Sequence, residues 1–174
     1  KPLIAILCAS LIFMMNMMLV GAVNVYLFKD YFSSAGTLSF VSIAQTIAVL
    51  LCAPFIKTLT TKFGKKEMSL VGLLIASAAY FVLFFLKDID AMTFIYISFI
   101  GFIGFGLFNT VIWAFVTDVI DYQEYLTDLR EDGTVYSVYS FARKVGQALA
   151  GGIGGFAIGA IGYDASREVQ TSEA

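Results

Sequence analysis

Apolar residues run along the chain in five long stretches separated by short polar segments. A membrane-spanning helix needs about 20 mostly apolar residues. The windows that meet this requirement are roughly 3–28, 36–56, 68–86, 92–117 and 134–162. The connecting segments are so short that consecutive spans must be antiparallel neighbours. The pattern therefore predicts an all-α membrane protein with five transmembrane helices.

Basic residues are unevenly distributed over the segments that join these spans. Lys and Arg are retained on the cytoplasmic side of short loops. If the N-terminus is cytoplasmic, the inner segments hold Lys1, Lys57, Lys62, Lys65, Lys66 and Arg130, and the outer ones hold Lys29, Lys87 and Arg167. We therefore expect a multi-pass protein of the cell (inner) membrane with its N-terminus inside. The odd number of spans suggests a missing last helix, to which 164–174 would lead as a polar external loop.

Composition narrows the class of protein further. The 174 residues are 59% hydrophobic and 14% charged, which is too few polar groups to cover a water-soluble surface. The net charge of -2 gives no reason to expect a nucleic-acid partner. Histidine is absent, and Cys8 and Cys52 each lie inside an apolar run. We expect no metal site, no cofactor and no enzyme activity, because the groups that such sites need are missing.

The fifth span carries two cations near its middle. Arg143 and Lys144 lie about ten residues beyond the start of the span, or about 15 Å along a helix. A charge at that depth costs about 3 kcal/mol and usually faces an aqueous cavity or a partner. Ser140, Lys144 and Gln147 share one helical face by their i, i+4 and i+7 spacing. We expect Lys144 at least to contact substrate or a coupling charge; alternatively, both cations pair with carboxylates elsewhere and only hold the bundle together.

The other spans differ in polarity. The fourth contains Asn109 and Trp113, which we expect to line a cavity together with the fifth-span residues. The third, residues 68–86, contains no charge and no amide, so it can face lipid over most of its circumference.

Glycine recurs every four residues late in the fifth span, at Gly151, Gly155 and Gly159. Small residues at this spacing let two membrane helices approach closely. No strand precedes the glycines and no Lys-Ser/Thr follows them, which argues against a phosphate-binding loop. We expect close helix packing.

Three acidic residues follow the fourth span at three-residue intervals: Asp118, Asp121 and Glu124, with Arg130 a few residues on. Carboxylates this close repel one another unless cations compensate them. A cluster of solvated loop charges is one interpretation. We prefer an inner gate, formed when the cavity faces outward and broken when it opens inward.

The last third of the chain contains a characteristic set of residues. It runs from Trp113 through Asp118, Asp121, Tyr122 and Glu124, and it continues through Arg130, Gly133, Tyr136-Ser137, Phe141, Arg143-Lys144, Gly146-Gln147 and Gly162-Tyr163. In these residues the chain resembles the glycoside-pentoside-hexuronide:cation symporters of the major facilitator superfamily. The adjacent Arg143 and Lys144 are closer to the glucuronide and xyloside carriers of that family. Asp128, Tyr125 and Asp132 depart from it, since Gly, Trp and Glu are common at those positions.

This resemblance implies a fold and a role. The five spans would be helices seven to eleven of twelve, and residues 1–163 would form a C-terminal half-domain. Lys144 would match a lysine tied to sugar and cation coupling, and the acidic residues with Arg130 would match an inner charged network. The coupling cation, Na⁺ or H⁺, would be bound mainly by an N-terminal half that this chain lacks. A carrier for another solute, such as an organic anion or a lysolipid, is the alternative, and a packing or receptor subunit is a third possibility.

Overall fold

Five long α-helices make up the computed structural model, which describes residues 2–86 and 88–160, without the side chains of residues 35 and 158. The helices are α1 (Pro2–Tyr26), α2 (Leu38–Phe63), α3 (Lys65–Phe85), α4 (Ala91–Thr127) and α5 (Asp132–Ala160). A π-helical turn, Leu27–Tyr31, extends α1, and a short 3-10 helix, Ala35–Thr37, precedes α2. The described residues include no strand. The predicted all-α fold is confirmed.

Four of the helical segments are long and apolar enough to cross a membrane: Pro2–Tyr31, Leu38–Phe63, Lys65–Phe85 and Ala91–Thr127. They make the chain a multi-pass membrane protein. By the same measure of length and hydropathy, α5 is not among them, because its first half carries Arg143, Lys144 and several hydroxyl groups. The fifth predicted span is thus a helix, and its passage through the membrane stays a prediction.

Two helices continue beyond their apolar windows into segments predicted to be connectors. α2 runs on to Phe63, where the Thr60 and Thr61 hydroxyls donate to backbone oxygens of the preceding turn. α4 runs on to Thr127, because no glycine or proline interrupts residues 118–127. Hydropathy marks where a helix leaves apolar surroundings, whereas Gly64 and Asp128 mark where these two helices stop.

The start of α4 is fixed by a side-chain cap. The Asp90 carboxylate accepts hydrogen bonds from the backbone N–H of Met92 (3.1 Å) and of Thr93 (3.2 Å), and from the Thr93 hydroxyl. These bonds satisfy donors that the first helical turn leaves free. They also favour the ionised carboxylate, the Thr93 hydroxyl most of all, so the pKa of Asp90 is lowered.

The chain divides into two compact units, with the boundary between Asp118 and Val119. The first unit contains α1, the last turns of α4, and α5. The second contains α2, α3 and most of α4.

In the first unit, α1 and α5 pack side by side at small residues. A Cβ atom added to Gly146 would lie 2.7 Å from the backbone oxygen of Leu11 and 3.2 Å from the Cβ of Met14. Eight residues further along both helices, Gly154 faces the Leu19 side chain in the same way. The residue numbers of the contacts rise together on both helices, so α1 and α5 run parallel. This is expected when the chain reverses direction four times between them.

In the second unit, α3 lies against α4 with backbone almost touching backbone. A Cβ atom on Gly72 would lie 2.7 Å from the backbone oxygen of Gly104, and one on Gly104 would lie 2.7 Å from the backbone nitrogen of Ala76. Along this interface the residue numbers rise on α3 and fall on α4, since Gly72 lies against Gly104 and Ala79 lies against Gly101. The two helices are therefore antiparallel and in van der Waals contact along a stripe of small residues.

A small apolar core completes the second unit. Its buried members are Cys52, Met68, Leu107 and Val111. The Cys52 thiol also lies 3.6 Å from the backbone oxygen of Ile103, as a weak donor. Cys52 therefore packs as a small apolar residue, in keeping with its position inside an apolar run.

Candidate functional site

The candidate residues fall into both compact units. Lys144, Arg143, Gln147 and Ser140 lie on α5 in the first unit, where Arg130 and its neighbouring acids also lie. Asn109, Trp113 and Asp118 lie on α4 in the second unit.

The predicted polar face of α5 lies beside its packing face. Tyr139 and Ala150 are buried, with exposed fractions of 0% and 2%, and Gly146 packs on α1 between them. Ser140 and Lys144 are exposed on the adjoining face. The helix thus separates an apolar contact surface from a surface that offers a hydroxyl and an ammonium group.

Lys144 is the exposed cation of this face. Within residues 2–86 and 88–160, the structure gives its ammonium group no hydrogen bond and no ion pair. Gln147, one turn further on, is half-buried, and its amide nitrogen lies 3.7 Å from the Met14 sulfur, a weak acceptor on α1. Of the three residues that share the predicted face, Ser140 and Lys144 are open and Gln147 leans towards α1.

Arg143 has different surroundings, although it is adjacent to Lys144 in sequence. It is half-buried, and its Nη1 donates a hydrogen bond of 3.1 Å to the Tyr139 hydroxyl one turn earlier. Its guanidinium carbon also lies 5.6 Å from the centre of the Tyr139 ring, within the range of a cation–π interaction. Sequence reasoning missed Tyr139, although its i, i+4 spacing to Arg143 was a usable signal.

At the glycines singled out for helix packing, an added side chain would find open space in the described part of the chain. A Cβ atom at Gly151, Gly155 or Gly159 would meet nothing within 4 Å. The close approach in this unit is made by Gly146 instead. Packing at Gly151, Gly155 and Gly159 stays a prediction, and it requires a helix that the described residues do not supply.

Asn109 and Trp113 follow one another by a single turn of α4. The Asn109 side-chain oxygen is buried and has no hydrogen-bond partner among the described residues. Trp113 is 41% exposed, which is high for the largest apolar side chain in the chain. An unsatisfied amide oxygen beside an open indole ring is compatible with the predicted cavity lining and does not test it.

Arg130 gathers three carboxylates around one guanidinium group. Its Nη1 donates to Glu124 (2.6 Å) and to Asp121 (3.3 Å), and its Nε donates to Asp132 (3.0 Å). Glu124 and then Asp132 raise the pKa of Arg130 further above its already high value. All four side chains are 44–59% exposed, so water and salt screen these pairs.

Asp118 is compensated by a different cation. The Lys65 ammonium, in the first turn of α3, donates to both Asp118 oxygens, at 2.6 and 2.8 Å. The sequence indicates a role for Lys65 only as one of the basic residues that mark the cytoplasmic side. It does not predict the pairing with Asp118. The predicted acidic cluster therefore consists of two separately neutralised groups, Asp118 with Lys65 and the other two acids with Arg130.

Two of the departures from the family pattern have a structural explanation. Asp128 ends α4 with a φ of 53°, in the left-handed region that glycine adopts at little cost, which explains why Gly is common there. Asp132 keeps a carboxylate within reach of Arg130, as a Glu would. Nothing in the structure explains Tyr125, which is 82% exposed.

Comparison with known proteins identifies the family of this chain. The family described as "MFS/sugar transport protein" matches residues 1–174, and the chain belongs to it. The predicted membership in the major facilitator superfamily is confirmed, while the position of the chain within the C-terminal half stays a prediction.

Individual relatives match nearly the whole chain at modest identity. The glucuronide carrier protein homolog of Escherichia coli is 30% identical over 99% of this chain and 38% of its own length. A putative sulfoquinovose importer of Salmonella typhimurium is 30% identical over 93% of this chain and 34% of its own length. The isoprimeverose transporter of Lactiplantibacillus pentosus is 29% identical over 95% and 34%. The chain thus spans little more than a third of the length of these relatives, and no solved structure matches it.

Proposed function

We propose that this chain is part of a secondary transporter that couples uptake of a glycoside, pentoside or hexuronide to a cation, Na⁺ or H⁺, by alternating access. Membership in a family of sugar transporters supports this proposal. The observation that carries it is Lys144, an exposed ammonium group in the middle of α5 without a partner among the described residues.

The position of Lys144 restricts what can surround it. An ammonium group exposed to lipid at mid-helix depth costs about 3 kcal/mol, so this face of α5 should border water, substrate or an opposite charge. The Ser140 hydroxyl, one turn earlier, and the Gln147 amide, nearly one turn later, add neutral donors and acceptors. A sugar needs such groups, because each of its hydroxyls loses hydrogen bonds to water on binding. We propose Asn109 and Trp113 as further lining residues, with the indole ring offering an apolar surface to a sugar ring.

The charge on this face favours an acidic sugar. The names of several relatives point the same way: a glucuronide carrier homolog, a putative sulfoquinovose importer and a putative 2,3-dihydroxypropane-1-sulfonate exporter, the last 39% identical over 59% of this chain. Glucuronides carry a carboxylate and sulfonates carry a sulfonate group. Lys144 would supply the compensating charge, so we propose a hexuronide or another anionic glycoside as substrate.

The ion pairs at the end of α4 suit an inner gate. We propose that Asp118, Asp121, Glu124 and Arg130 exchange partners during the cycle, with the N-terminus of the chain on the cytoplasmic side. Lys65 joins this set through its two contacts with Asp118. Water and salt weaken exposed pairs of this kind, so they can break and re-form within a transport cycle.

Transport by the complete protein tests the proposal. The protein would be purified, reconstituted into vesicles and supplied with a radiolabelled glucuronide or a matched neutral glucoside under an imposed Na⁺ or H⁺ gradient. We expect accumulation above equilibrium under one of the two gradients, and faster uptake of the glucuronide. Uptake of neither glycoside would contradict the proposal.

A second candidate, a carrier for a non-sugar organic anion, is favoured by the same Lys144 charge. It predicts that a simple carboxylate or sulfonate is accumulated while both glycosides are excluded. The same vesicles distinguish the two candidates.

A further inference from the structure

The two adjacent cations of α5 are not equivalent in their surroundings. Arg143 is half-buried and bound to Tyr139 by both a hydrogen bond of 3.1 Å and a contact with the ring face at 5.6 Å. Lys144 is exposed, and consecutive residues point about 100° apart around a helix. Tyr139 itself is fully buried, with an exposed fraction of 0%.

We infer that Tyr139 is a positioning residue that holds Arg143 on the buried side of α5, so that Lys144 alone presents a positive charge to an anionic substrate. This inference rests on the proposed function and changes the role predicted for Arg143. Arg143 then lies on the same side of α5 as the buried Tyr139. Lys144 is left as the cation of the exposed face that it shares with Ser140.

The chemistry of arginine explains why such an anchor is needed. A guanidinium group stays protonated at every physiological pH, so burial cannot remove its charge by deprotonation as it can for a lysine. It can only be kept from the substrate by geometry. A ring face together with a hydroxyl acceptor suits a planar guanidinium, which both stacks on aromatic rings and donates in its own plane.

A transporter also has a reason to present one cation and not two. It must bind its substrate and then release it on the other side, and a second positive charge beside Lys144 would strengthen binding of an anion. Release would then become slower. Tyr139 would therefore set the balance between affinity and turnover for charged substrates and leave neutral ones unaffected.

The substitution Tyr139→Phe in the complete protein tests this role. It keeps the buried ring and removes the hydroxyl that accepts from Arg143, so that only the ring contact remains and the guanidinium reaches the face of Ser140 and Lys144 more often. KM and Vmax would be measured in vesicles for a glucuronide and for the matched neutral glucoside. We expect the KM for the glucuronide to fall roughly threefold or more and its Vmax to fall as well, through the added Coulomb attraction. Both values for the glucoside should stay the same.

Removing the arginine in the same protein provides the matched control. In the double variant Tyr139→Phe/Arg143→Gln, the charge-selective fall in KM should disappear, because the released cation is gone. If Tyr139→Phe yields too little folded protein, Arg143→Lys tests the same link. Its ammonium lacks the planar group that stacks on Tyr139, so the same selective fall in KM is expected.

The outcomes separate this inference from the function on which it rests. Equal changes for the glucuronide and the glucoside, or an unchanged KM for the glucuronide, would overturn the positioning role while wild-type uptake still supported the transporter. A wild-type protein that transports neither substrate would overturn both.

Discussion

α3 and α5 are both rich in small residues, yet only α5 exposes a charged side chain near its middle. α3 buries Gly72, Ala76 and Ala79 along α4 and exposes large apolar side chains such as Leu74 (68%) and Phe84 (80%). α5 packs through small residues as well, on α1, but the face beside this contact carries hydroxyl and ammonium groups.

The difference shows what small residues do and do not reveal in a membrane protein. In both helices they allow close backbone contact, which burial of apolar surface alone does not drive in lipid. The character of the remaining surface then decides the role. Apolar side chains on α3 can remain in lipid at no cost, whereas a Lys144 ammonium inside the membrane, as predicted for α5, would require water, a partner or a substrate.

The largest effect should come from removing the charge that distinguishes the two faces. Lys144→Ala in the complete protein deletes the only proposed contact with substrate charge, and losing one partner of a buried charge pair costs about 2–5 kcal/mol. That corresponds to a loss of roughly 30-fold or more in affinity for an anionic glycoside. Uptake into vesicles measures it.

The matched control is Leu74→Ala on the exposed face of α3. Leu74 has no polar contact to lose, so uptake should stay close to that of the wild type. Equal losses for both variants would mean that the two faces do not differ in function.

A methyl group added at a glycine should destabilise the protein where α3 contacts α4, and it should not do so at Gly151 on α5. Gly104→Ala places a methyl group against the Gly72 backbone oxygen and 2.7 Å from the Ala76 nitrogen. Overpacking of this kind costs about 1–3 kcal/mol. Gly151→Ala on α5 meets nothing within 4 Å, so it should be neutral or stabilise the helix by up to about 1 kcal/mol.

Thermal unfolding of the purified protein compares the two variants. A marked loss of stability for Gly151→Ala would show that another helix packs at this glycine, as its four-residue repeat with Gly155 and Gly159 predicts. The comparison of helix faces would then need a second contact surface on α5.

The sequence predicted the number and type of helices because apolar runs reflect the surroundings of each helix directly. It placed their ends less well. α4 continues ten residues past its apolar window, since helix propensity and hydropathy are separate properties and only Asp128 interrupts the backbone. Spacing alone correctly placed Arg143 and Lys144 near the middle of a helix, while their depth in the membrane stays a prediction.

Partners were harder to predict than positions. The pairing of Lys65 with Asp118 joins residues that are 53 positions apart, and it depends on the register between α3 and α4. That register is set by glycines such as Gly72 and Gly104, whose contact cannot be read from either helix alone. By contrast, the bond between Tyr139 and Arg143 is local, and helical spacing could have revealed it.

Removing a charge near the first turn of α3 or α5 should change the stability of the protein less than the packing substitution Gly104→Ala. α3 begins beside the single pair of Lys65 with Asp118, whereas α5 begins at Asp132, one of three carboxylates around Arg130. Lys65→Gln removes one exposed pair and should cost less than about 1 kcal/mol. Arg130→Gln should lower the unfolding temperature further, because it leaves Asp121, Glu124 and Asp132 to repel one another.

Salt provides the control for these two variants. Both differences from the wild type should shrink in 1 M NaCl, since exposed charges are screened at short range there. If Lys65→Gln lowered the unfolding temperature more than Arg130→Gln, or if salt had no effect, the pairs would owe their role to packing and not to charge.

The smallest effect should come from the residues that precede the two helices. Gly64 leads into α3 with a φ of 94°, and Asp128 lies in the turn before α5 with a φ of 53°. Glycine adopts positive φ freely, while an L side chain there is strained, although aspartate tolerates it better than most. Asp128→Gly should therefore stabilise the protein by about 0.5 kcal/mol.

Leu129→Gly is the matched control for this change, because the neighbouring Leu129 does not have a positive φ. There the added backbone freedom of glycine brings no relief of strain, so the unfolding temperature should fall. If both variants shifted the unfolding temperature in the same direction, the left-handed backbone at Asp128 would not be the reason that glycine is common at this position. The turn before α5 would then differ from the turn before α3, where Gly64 has a positive φ.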